Sequence, residues 1–144
     1  MGRVIRTETA ARDRRQMLQG LGAALARAGD PSCAPEEQGD ILGFCVLSLA
    51  QVNHGVDKTA SAWEARGYWL KADKFRREWA WAAEAAAGIE ASLNARDLGR
   101  AALAAARMAP HLASVKVPAR LSRSRPWHGA LQRYHDRPPG APGA

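Results

Sequence analysis

Between Pro35 and Val56 the chain carries no lysine or arginine and places apolar side chains on every face of a helix. Leu42, Cys45, Leu49, Val52 and Val56 recur at spacings of three and four, while Ile41, Phe44, Val46 and Leu47 fill the remaining directions. A helix that is apolar all round needs neighbours on all sides, which makes it the centre of a bundle. Pro35 suits its first turn, and Glu36 and Glu37 suit the positive end of its dipole. Its longest apolar run, from Ile41 to Val52, is too short to span a bilayer.

The rest of the chain supplies candidate neighbours. A first helix is expected from about Thr9 to Ala28, with Met17, Leu18, Leu21, Ala24, Leu25 and Ala28 on one face. The central helix is expected to run past Gly55 to about Arg66, with Gly67 as the joint. Tyr68, Ala72, Phe75, Trp79, Ala82, Ala86, Ile89 and Leu93 then form an unbroken heptad seam. A last helix is expected from Leu98 to about Ala109, ended or kinked by Pro110. The expected fold is all-α, a bundle of about four helices. Residues 1–8 are read as a basic arm, 9–114 as the bundle and 115–144 as an extended basic tail rich in Pro and Arg, with a short helical turn between His128 and Tyr134.

Charge is distributed unevenly. The net charge is +7, with 21 basic and 14 acidic residues. Residues 31–57 hold four acids and no Lys or Arg, whereas residues 115–144 hold six cations against Asp136 alone. Seventeen of the cations are Arg, a bias that a GC-rich genome produces without selection for function.

Motifs for catalysis are missing from this sequence. No Gly-rich phosphate loop, GxSxG elbow, HExxH or Glu-x-x-His pattern occurs, and the two cysteines, Cys33 and Cys45, form no CxxC pair. His54 and Asp57 are helical neighbours, but two ligands do not make a metal site. The expectation is a non-enzymatic protein with no cofactor, no metal and no small-molecule substrate. The opening residues contain no apolar core of a secretory signal, so a cytoplasmic location without a membrane partner is expected.

Aromatic residues beside cations are the strongest functional pattern. Trp81 shares a helix face with Lys74 and Arg77, and Trp69 shares one with Arg76. Trp79 lies on the seam, about 200° round the helix from Trp81, and reads as core. The tail interleaves Lys116, Arg120, Arg123 and Arg125 with serines and ends in Pro126-Trp127. Arg3 and Arg6 add charge at the N-terminus, where Arg12 and Arg15 read as a solvated first turn. Exposed aromatics next to Arg suit stacking on unpaired bases with phosphate contacts, so RNA is preferred over duplex DNA. The bland alternative pairs Asp73 with Arg77 and Lys74 with Glu78 across single helical turns. A second functional reading is an adaptor or assembly subunit that binds a protein through its Trp residues and tail, including a homodimer through the seam.

The segments Met1–Glu8, Trp63–Trp69 and Lys116-Val117-Pro118 are similar to those of small, basic, helical bacterial proteins outside any named family. The resemblance implies a helical fold and brings no activity with it.

Overall fold

The computed structural model describes residues 7–137. All regular structure in that range is helical: α1 (Thr7–Ala28), α2 (Pro35–Ala65), α3 (Trp69–Glu78), α4 (Ala80–Asn94), α5 (Leu98–Ala106), α6 (Ala109–Leu112), α7 (Ala119–Ser124) and α8 (Ala130–Asp136). No described helix is long and apolar enough to cross a membrane.

The apolar segment is the axis of the molecule. α1, α3, α4, α5 and α8 all pack against α2. Ile41, Leu42, Cys45, Val46, Leu47, Leu49, Val52 and Val56 are all buried, so every face of the helix has found a neighbour. Burying each of the larger aliphatic chains contributes about 1.5–3 kcal/mol. The Cys45 thiol is enclosed there, and burial pushes its pKa up to about 12. It is packing, not a nucleophile.

The heptad seam departs from expectation in two ways. It is not one helix: the backbone leaves helical geometry at Trp79 (φ −105°, ψ 6°), separating α3 from α4. Its buried positions, among them Ala72, Ala82, Ile89 and Leu93, join the interior instead of forming a dimer seam. α2 packs against both helices that carry the seam. The break also brings the Trp79 and Trp81 rings to 5.9 Å, where an uninterrupted helix would hold them on different faces. The guanidinium of Arg14 on α1 lies over the Phe75 and Trp79 rings, at 4.9 and 5.7 Å. Burial lowers its pKa.

The C-terminal residues correct the sequence reading most. Residues 115–137 are not an extended tail: α7 packs on α1, and α8 lies on α2. The contact with α2 depends on two glycines one turn apart. A Cβ at Gly43 would come within 2.8 Å of the Leu131 Cα, and one at Gly39 within 3.1 Å of its Cδ2. The backbones therefore meet at a distance only glycine permits. Asp40, between these glycines, accepts the Gly129 and Leu131 N–H groups, both at 3.1 Å, filling donors that the start of α8 would otherwise leave open. At its far end the Tyr134 hydroxyl donates to Asn94 at 2.8 Å, and Arg137 pairs with Glu90. The basic N-terminal arm, with Arg3 and Arg6, lies outside the described residues.

Candidate nucleic-acid interface

Trp127 is only 1% exposed and cannot serve as a free stacking surface. Its ring meets Phe44 edge-on at 6.3 Å. Its indole N–H donates to Glu37 Oε2 at 3.0 Å. Glu37 also accepts two hydrogen bonds from Arg27, both at 2.9 Å, and pairs with Arg125 at 3.5 Å. The Arg27 bonds, then the indole bond, with help from the Arg125 charge, hold the Glu37 carboxyl down at about pH 2 despite partial burial. Arg125 thus faces Glu37 while its side chain stays half exposed. It adopts left-handed backbone (φ 48°), the turn that directs Trp127 inward.

Trp81 is half-buried. One face stacks on the His111 ring, 4.4 Å away and 3° from parallel, which removes that face from any base. Arg77 pairs with Asp73 at 2.9 Å, the one-turn pair of the bland reading. Lys74 is exposed, and so is Trp69. The structure therefore divides the expected α3–α4 surface, separating exposed Trp69 and Lys74 from the half-buried Trp81.

Lys116, Arg120 and Arg123 remain exposed although the segment carrying them is docked. Leu121 packs on the core, which turns Arg120 and Arg123, three residues apart, to the outer side of α7. Gln19 on α1 donates to the Lys116 carbonyl at 3.1 Å and so joins the two elements. Arg12, Arg15 and Gln19 occupy one line of α1 at spacings of three and four, and both arginines are exposed. Exposed cations thus stand on two elements that pack together, Arg12 and Arg15 on α1, and Lys116, Arg120 and Arg123 on the C-terminal segment. Among the described residues, Lys116, Arg120 and Arg123 take part in no ion pair.

Arg12 and Arg15 were missed as partners of the tail cations. Their shared face was visible in their spacing, but the packing of α7 on the helix that carries them depends on long-range docking. Glu37 was missed as well, since an acid in a first helical turn ordinarily reads as a dipole partner.

Comparison of the chain with protein families, with curated proteins and with solved structures finds no match. The functional argument therefore stands on geometry and chemistry.

Proposed function

We propose that this protein is a non-enzymatic nucleic-acid-binding protein whose contact surface is formed by Arg12, Arg15, Lys116, Arg120 and Arg123. The observation that carries the reading is the hydrogen bond from Gln19 to the Lys116 carbonyl. It ties two separately basic segments into one surface at which phosphates can be met by several cations at once. Counterion release on such a contact supplies most of the binding free energy and makes it salt-dependent. RNA is preferred over duplex DNA, because no helix-turn-helix signature is visible in the sequence.

The test is single-stranded RNA binding across a salt series. Five phosphate contacts predict a log–log slope near −3.5, at about −0.7 per contact. Replacing Lys116, Arg120 and Arg123 with Ala should reduce its magnitude by about 2. Absence of RNA and DNA binding at low salt would sink the proposal. The adaptor reading keeps one supporting observation, the exposure of Trp69, since Trp127 is buried and Trp81 is half-buried against His111. Purification with and without nuclease separates the two: a co-purifying protein that survives nuclease favours the adaptor.

A further inference from the structure

The turn between α2 and α3 exposes three large apolar side chains in succession: Tyr68 is 56% exposed, Trp69 64% and Leu70 86%. A consecutive apolar group of this size on a soluble surface marks a contact site. We propose that this turn is a membrane-docking tip that inserts into the surface of a bilayer bearing anionic lipid headgroups. This proposal departs from the sequence-based expectation of no membrane partner, and a surface contact needs no spanning segment.

The tip is built to hold these residues outward. Gly67 ends α2 at φ +85°, with its N–H on the Glu64 carbonyl and the Tyr68 N–H on the Trp63 carbonyl, the paired bonds of a Schellman ending. A Cβ at Gly67 would meet nothing within 4 Å, so the space beside the turn is open. Behind it, Arg76 bridges Asp57 at 3.1 Å and Glu64 at 2.9 Å, tying α3 to α2. The Phe75 ring meets Trp63 edge-on at 5.0 Å, and the Lys71 ammonium covers the Trp63 ring at 4.5 Å. Exposure of Trp69 and Leu70 is thus a property of a braced turn, not of a frayed end.

Chemistry selects the partner. Arg66, Lys71 and Lys74 are exposed around the turn, Arg77 offsets Asp73, and Arg76 is shared between Glu64 and Asp57, which leaves a modest positive excess at the tip. The surroundings therefore attract phosphate-bearing surfaces. Leu70, the most exposed of the three, has no ring to stack on a base and gains only by leaving water for hydrocarbon. Tyr and Trp favour the headgroup level, where an apolar body and a polar tip are both accommodated. The tip also lies about 33 Å along α2 from Gly43, where α8 docks.

The test uses the full chain and vesicles of phosphatidylcholine, alone or with roughly a third phosphatidylglycerol, at low and moderate salt. Binding is expected on the anionic vesicles. Trp69→Ala combined with Leu70→Ser should lower the partition coefficient at least about tenfold without moving the thermal midpoint, since both residues are already exposed. Arg66→Ala and Lys74→Ala should each lower it roughly fivefold on anionic vesicles only. No binding to anionic vesicles at low salt overturns the proposal. So does unchanged partitioning of the Trp69/Leu70 variant, which would mean adsorption by charge alone. Loss of RNA affinity in that variant with vesicle binding intact would assign the tip to nucleic acid and overturn it as well.

Discussion

The C-terminal segment and the α2–α3 turn exchange the roles that their compositions suggest. Residues 115–137 are basic and punctuated by proline, yet they fold back and bury Trp127 and Tyr134. Tyr68 begins the cleanest apolar repeat in the chain, yet it and the next two residues face solvent. The difference lies in what waits opposite. α2 offers the C-terminal segment a groove at Gly39 and Gly43, with Asp40 and Glu37 to take its donors. Beyond Ala65 α2 has ended, so nothing remains to cover the start of α3. Burial is decided by the partner surface as much as by the residue.

The severest way to break this comparison is to remove residues 115–144. Two buried aromatics at about 3–5 kcal/mol each approach the whole 5–15 kcal/mol stability of a domain. The truncated chain should lose its cooperative thermal transition, followed by far-ultraviolet circular dichroism. An extended arm would leave the transition where it was.

A pair of single substitutions sharpens the contrast. Trp127→Ala should destabilise by about 3–5 kcal/mol in urea unfolding. Trp69→Ala should stay within about 0.5 kcal/mol, as exposed positions do. Equal losses would contradict the assigned roles.

Smaller changes probe the groove. Gly43→Ala inserts a methyl where the Leu131 backbone stands at 2.8 Å, and overpacking of this kind costs about 1–3 kcal/mol. Gly55→Ala, where a Cβ would meet nothing within 4 Å, should be neutral or mildly stabilising in the same assay.

Acidity should loosen the same joint. The folded-state pKa of Glu37, about 2, lies below its ordinary value of 4.5. Its contribution to stability is therefore complete above pH 4.5 and fades as pH falls towards 2. Glu37→Gln should flatten that part of the stability–pH curve. An unchanged curve would show that Arg27, Trp127 and Arg125 do not act through this carboxylate.

Much of the fold was legible in the sequence because local pattern and burial agree there. α1 and α2 follow their apolar spacing, and Pro35, Gly67 and Pro110 stand at or near the joints. The break at Trp79 was not legible, since the heptad spacing runs through it without a glycine or proline. Nor was the docking of α8. Gly39 and Gly43 look like weak points of a helix until Leu131, some 90 residues away, is known to lie on them. The candidate surface was legible only in part. Lys116, Arg120 and Arg123 were visible as charge, but their company with Arg12 and Arg15 required the fold. Trp127 was misjudged for the same reason, as its partner Glu37 is equally remote in sequence.

Hydrogen exchange of the five tryptophan indole N–H groups, resolved by nuclear magnetic resonance, tests the central contrast most directly. The Trp127 indole, buried and bonded to Glu37, should exchange only on global unfolding, while that of Trp69 should exchange within the dead time. A Trp127 indole that exchanges as fast as that of Trp69 would mean that the C-terminal segment is an arm after all.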